Sequence, residues 1–171
     1  MNPLLKQVLL VCVCLFALAG QAIADALSDA QRAADMGDYA KAFKLLKPLA
    51  KQGNAVAQFK LATLYYSGRG ARQNNKEAMR LYQLAAEQGH VVAQSNLATL
   101  YYRGEGAPMD YILAHMWKNI AASNADGERR LRYVEQLKEL AKNMNAKQIA
   151  EAEELSKKCT ANKFKGCNRA R

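Results

Sequence analysis

Few side chains in this 171-residue chain have the type and spacing that chemistry needs. His90 and His115 are the only histidines, residues that elsewhere move protons or bind metals. They stand 25 residues apart, and nothing in the sequence shows that they meet, so they do not argue for a metal cluster. Capping or half-buried packing accounts for both: His90 falls at a helix start, and His115 precedes Met116 and Trp117 in an apolar run. Glu151, Glu153 and Glu154 read as a solvated helix face rather than a catalytic pair. Gly-x-Gly occurs at Gly68/Gly70 and Gly104/Gly106, but after helical rather than strand patterns, which argues against a phosphate cradle. Gly-x-Ser-x-Gly and Ser-x-x-Lys are absent. The expectation is a chain with no catalytic residue, no metal and no cofactor.

The N-terminus carries an address rather than chemistry. Lys6 is a positive n-region, Val8 to Ala19 are an apolar core, and Ala22-Ile23-Ala24 is a small-x-small cleavage site. Residues 1–24 are therefore expected to be a signal peptide removed before Asp25. The apolar run is shorter than the ~20 residues a bilayer span needs, so no transmembrane segment is expected in the mature chain. Cys12 and Cys14 lie in the apolar core and leave with it. The protein is then exported, periplasmic or secreted.

Cys159 and Cys167 remain, both near the C-terminus. In an oxidising compartment a close pair is most simply a disulfide. A zinc site is the alternative, but two thiolates without a nearby histidine leave the tetrahedron half empty. Around the pair lies most of the charge. Residues 25–171 hold 24 basic and 15 acidic side chains, an excess of +9. Six of the basic residues (Lys157, Lys158, Lys163, Lys165, Arg169, Arg171) fall after residue 156 with no acid among them. Anionic lipid headgroups, wall polymer or an acidic protein surface would complement such a tail. A purely solubilising tail is the other reading. Nucleic acid is not an expected partner, since the tail offers Phe164 alone for stacking.

The elements that must position these residues come from a repeat. Ala57-Gln-Phe-Lys-Leu-Ala-Thr-Leu-Tyr-Tyr-Ser-Gly-Arg-Gly-Ala71 returns 36 residues later from Ala93 to Ala107, with 11 of 15 positions identical. A period of that length marks stacked units, each too small to bury its own apolar face. Ala57, Leu61, Leu64 and Tyr65 share one face of a helix, and Gly68 and Gly70 stop it. A second helix over 75–88 buries Ala78, Leu81, Tyr82, Ala85 and Ala86. The next unit repeats the plan with helices over 90–103 and 111–123, where Ala114, Trp117, Ala121 and Ala122 take the matching places. Upstream, a tight Met36-Gly37-Asp38 turn joins a shorter first pair. Beyond Asp126 the repeat stops. Leu131, Val134, Leu137, Leu140 and Ala141 recur at helical spacing, and Asn145 is an N-cap for a last helix over 146–158.

The pattern Ala-Gln-x-x-Leu-Ala-x-x-Tyr-x-x-Gly-x-Gly-Ala, followed by a helix with Ala, Trp and Ala-Ala, resembles the Sel1-like repeat, a variant of the tetratricopeptide repeat. Ala62 and Ala98 stand where that family usually has Gly, and Lys118 replaces an aromatic after Trp117; both departures read as small or surface-facing changes. The resemblance implies an all-α, right-handed α-α superhelix (solenoid) of about three helix pairs, approximately 25–53, 54–89 and 90–125. Capping helices over 126–158 and a basic disulfide tail over 159–171 complete it. It further implies a concave groove lined by Val56, Phe59, Thr63 and Tyr66 in one repeat and by Val92, Ser95, Thr99 and Tyr102 in the next. Phe59, Tyr66 and Tyr102 could dominate contact with a ligand. The competing reading is that the following repeat packs over them. The function implied is a monomeric, non-enzymatic adaptor that binds a protein or peptide. Docking on envelope polymer through the tail is the second possibility. A penicillin-binding or β-lactamase-like wall enzyme is a distant third, because the relatives with that activity carry a disulfide inside each repeat and this chain has none there.

Overall fold

The computed structural model describes residues 20–167, and among them it contains helices and no strand. Eight helices follow in order: α1 (20–35), α2 (Tyr39–Lys51), α3 (Ala55–Ser67), α4 (Asn75–Ala86), α5 (Val91–Arg103), α6 (Tyr111–Asn124), α7 (Gly127–Ala141) and α8 (Ala146–Ala161). From α2 to α7 each helix packs on its chain neighbour, and α8 folds back onto α6. The chain is an all-α solenoid of helix pairs, the fold class its repeats imply.

The 36-residue period sets the helix starts. Asp38, Asn74 and Asp110, one period apart, each accept a hydrogen bond from a first-turn backbone N–H of the helix that follows. Asn54 and His90 do the same for the intervening helices. Such caps satisfy donors that a helix leaves unpaired, each contributing about 1 kcal/mol. Asn145 closes a reciprocal capping box with Gln148 at the start of α8.

Small residues let the helices approach closely. Ala42, Ala78 and Ala114 repeat one period apart and are fully buried, as are the pairs Ala57/Ala93 and Ala62/Ala98. Around them pack Leu81, Tyr82, Leu97, Leu100, Met116 and Trp117. Two buried glutamines tie units together. Gln58 Nε2 donates to Ala50 O and Gln94 Nε2 to Ala86 O, both at 3.2 Å, across the turn between pairs. Their carbonyls accept from Gln88 and Asn124 respectively. The Ala-Gln dipeptide of the repeat is thus an apolar contact followed by a polar staple.

The second glycine of each Gly-x-Gly lies against the backbone of the preceding unit. A Cβ on Gly70 would lie 2.2 Å from Tyr39 O, and one on Gly106 would lie 2.5 Å from Asn75 O. Both have positive φ (+75° and +88°), so a side chain is excluded twice over.

Three features depart from the sequence reading. Lys118 is not surface-facing: it is 5% exposed. Ser95, a groove candidate, is also buried. On α7, Leu131 is 71% exposed and Val134 also faces out, while Tyr133 and Leu140 turn inward. Leu131 and Leu140 are nine residues apart, about half a turn out of phase at 3.6 residues per turn, so one helix face cannot bury both.

Cys159 and Cys167 form a disulfide with a Cα–Cα distance of 5.1 Å. The intervening loop turns on Lys163 and Phe164, both left-handed, and Phe164 N–H bonds Cys159 O at 2.8 Å. The loop carries the Phe164 ring back against Gly89, in the turn between α4 and α5. Arg169 and Arg171 lie outside the described residues.

Candidate docking face

The groove positions divide between those that stay open and those that the stack uses. Val56, Thr63 and Tyr102 are exposed; Phe59, Tyr66, Val92 and Thr99 are half-buried; Ser95 is buried. In the unit built on α3 the joint is aromatic. The Phe59 ring stacks on His90 with centroids 4.4 Å apart and leans on Tyr82 at 6.0 Å. Thr63 Oγ1 donates to Phe59 O and lies 3.0 Å from the Tyr82 hydroxyl. Tyr66 accepts from Arg103 Nη1 at 3.1 Å. Phe59 therefore packs the following turn as well as edging the groove.

One period on, the same positions are polar. Ser95 replaces Phe59, and Lys118 replaces Tyr82. Lys118 Nζ donates to Ser95 Oγ (2.7 Å), Ser95 O (3.3 Å) and Gln136 Oε1 (2.9 Å), and sits 5.3 Å from the Tyr133 ring centroid. It joins α5, α6 and α7. Burial pulls its pKa down to about 8, because a desolvated ammonium is disfavoured. Sequence reasoning missed Lys118, Tyr133 and Gln136 as a group. The signal was present: Lys118 occupies the position of Tyr82, itself read as buried.

Beyond this bracket a cleft of about 360 Å³ opens between α5, α6 and α7. Thr99 and Tyr102 line it from α5, Lys118 from α6, and Gln136, Glu139 and Leu140 from α7. The Tyr102 ring lies 5.7 Å from Tyr111. Its walls are mainly carbon, with polar groups around the mouth, a composition that suits a ligand side chain.

The histidines serve the fold. His90 Nδ1 accepts from Ala93 N–H at 3.2 Å, a cap that needs the neutral ring, and burial lowers its pKa. His115 is buried on α6; desolvation lowers its pKa, opposed by Glu153. Among the described residues no group of three or more His, Cys, Asp or Glu is disposed to hold a metal.

A stack of helix pairs, joined by buried glutamines and left open along its first helices, is the architecture of a repeat scaffold. The Sel1 repeat model matches residues 36–54, 55–90 and 91–126, more than half of the chain, which belongs to the Sel1 repeat family. Sel1 repeats commonly mediate protein–protein interaction, and proteins of the family are typically non-enzymatic scaffolds. Several solved structures are similar, two of them as follows. One is a protective antigen present in uropathogenic Escherichia coli strains that displays an SLR fold, at 27% identity and a TM-score of 0.78 over 87% of this chain. The other is a Sel1 repeat protein from Oxalobacter formigenes, at 38% identity and a TM-score of 0.50 over 52% of this chain. The chain spans about a third of the first and a quarter of the second, 32% and 25% of their lengths. No curated protein matches the chain.

Proposed function

We propose that this chain is an exported, non-enzymatic scaffold that holds a protein or peptide partner along its concave face. The observation that carries the reading is the row of open groove side chains, Val56, Thr63 and Tyr102, running toward the cleft beside α7. Tyr66, Val92 and Thr99 complete the row, and Phe59 and Ser95 act from beneath it. Val56→Asp combined with Tyr102→Ala tests it, because both positions are exposed. Captured partner should be lost from the variant and retained by the wild type; full retention would sink the reading.

Export rests on the leader-like residues 1–24 and on the disulfide, which oxidising compartments favour. Helix α1 is continuous across Ala24–Asp25; its buried residues, Ala30 and Ala33, lie after that junction, and only the partly buried Ile23 packs on the core before it. Removal of the leader leaves both alanines in place. An N-terminal mass beginning at Asp25 in protein from the native cell is the expected result.

A second reading has the tail docking on an anionic envelope polymer. It is favoured by the disulfide, which holds the exposed Lys163 and Lys165 in one closed loop. Lys163→Gln combined with Lys165→Gln should then weaken salt-sensitive envelope association while leaving partner capture intact.

A further inference from the structure

Tyrosines at the joints of this stack hold cations. Arg69 Nη1 donates to the Tyr39 hydroxyl at 3.1 Å, with the guanidinium carbon 5.0 Å from the ring centroid. Arg103 Nη1 donates to Tyr66 at 3.1 Å, and Lys118 lies over Tyr133. One period beyond Tyr66 stands Tyr102, and one period beyond Arg103 stands Glu139. Helix α7 is in register for this comparison. Its N-cap, Asp126, follows the N-caps Asn54 and His90 at the same 36-residue step. The position that gives Tyr66 a guanidinium therefore gives Tyr102 a carboxylate.

The result is an open joint. Tyr102 is 40% exposed, and among the described residues no basic side chain donates to it. The cleft beside it has Ala98 and Leu140 as apolar wall and the carboxylates of Glu135 and Glu139 at its edge. Two basic residues also line it, Lys118 and Arg103. The three N–H groups of Lys118 are donated to Ser95 and Gln136, and Arg103 serves Tyr66 with Glu105 3.9 Å away. The two carboxylates, by contrast, meet only Lys138 and Lys142 of their own helix, in exposed pairs of the weak kind that a better partner displaces.

We propose that this cleft is the anchor site for an arginine side chain of the partner. The stem lies along Leu140 and Ala98, the guanidinium faces the Tyr102 ring, and its fork of donors meets Glu135 and Glu139. The proposal deepens the concave-face reading by naming what the partner presents there.

The test is a titration of the purified protein with Ac-Ala-Arg-Ala-NH2, followed by backbone amide NMR, beside the same peptide carrying the neutral isostere citrulline. The expected result is a saturable shift confined to Thr99, Tyr102, Gln136 and Glu139. Citrulline should bind about tenfold more weakly or worse, as should the arginine peptide to Glu135→Gln/Glu139→Gln. Both substitutions are on the surface, and unchanged spectra elsewhere establish that the variant is folded. Equal response to citrulline, shifts scattered over the surface, or no response up to about 10 mM peptide would overturn the anchor. If the anchor fails while Val56→Asp/Tyr102→Ala still abolishes partner capture, the concave-face reading stands without it. If the peptide binds while capture survives that variant, the partner does not dock at Tyr102, and the concave-face reading falls together with its anchor.

Discussion

The α3–α4 unit and the α5–α6 unit share their backbone plan and differ in what fills the joint beyond. After α3 and α4 the joint is carbon and ring: Phe59 on His90 and Tyr82, closed at the edge by Tyr66 and Arg103. After α5 and α6 it is an ammonium with three acceptors, Lys118 between Ser95 and Gln136, and its edge is open. An apolar joint fits another copy of the same repeat. A polar joint fits a helix of different sequence, because hydrogen bonds specify α7 by geometry where greasy contact would accept many helices. The terminal pair is thereby docked in one arrangement, with a cleft left beside it.

The largest expected effect comes from breaking what the two units have in common. Gly70→Ala or Gly106→Ala forces a side chain into a backbone carbonyl at positive φ, and each should cost at least ~2 kcal/mol. Thermal unfolding should show a drop of several degrees for both, and equal drops would confirm that the contact is common to the two units.

Next in size is the polar joint itself. Lys118→Ala leaves Gln136 and the Ser95 hydroxyl without their donor and should cost ~2 kcal/mol. Hydrogen exchange should rise in α7 far more than in α3. Uniform loosening would instead show that the joint is not local.

Proton binding separates the joints more finely. The His90 cap needs a neutral ring and its pKa lies below the ordinary 6.5, so the native state binds fewer protons than the unfolded chain below that value. Stability is full above about pH 6.5 and falls as acid brings the pH toward the native value. His90→Asn, which restores the cap used at Asn54, should reduce the loss in urea midpoint between pH 7.5 and pH 5, leaving the share that belongs to His115. At the polar joint the sign is the same and the window is different. Lys118 titrates near 8 in the native state and near 10.5 when unfolded, so stability rises as pH increases from 8. Lys118→Met should abolish that rise between pH 8 and 9.5, a range below the titration of Tyr82 and Tyr101, which burial raises.

The smallest effect belongs to the edge. Arg103→Ala removes an exposed hydrogen bond to Tyr66 and should cost only ~0.5 kcal/mol. It leaves Tyr66 without its donor, like Tyr102, but with Thr99 and the new alanine at the positions that hold Glu135 and Glu139 one period on, so no second arginine-peptide shift should appear at Tyr66.

Much of the architecture was legible because it is periodic. The repeated Ala, Leu and Gly positions gave helix, face and turn together, and the spacing of Cys159 and Cys167 gave the disulfide. The polar staples were visible as invariant glutamines between two copies, Gln58 and Gln94, yet their partners are backbone carbonyls that no sequence pattern displays. Lys118 escaped because a lone charge beside Trp117 reads as surface; only its acceptors on α5 and α7 make burial tolerable. Leu131 misled for the opposite reason. Helical spacing fixes which residues share a face, and tertiary contact decides which face turns inward.

The ring of Phe164 against Gly89 joins residues 75 positions apart in a fold whose units otherwise meet only their neighbours. A linear stack frays from its ends, one pair at a time. Here the oxidised loop straps the final turn of the chain to its middle, so unzipping from the C-terminus must first peel away a contact made two helix pairs back.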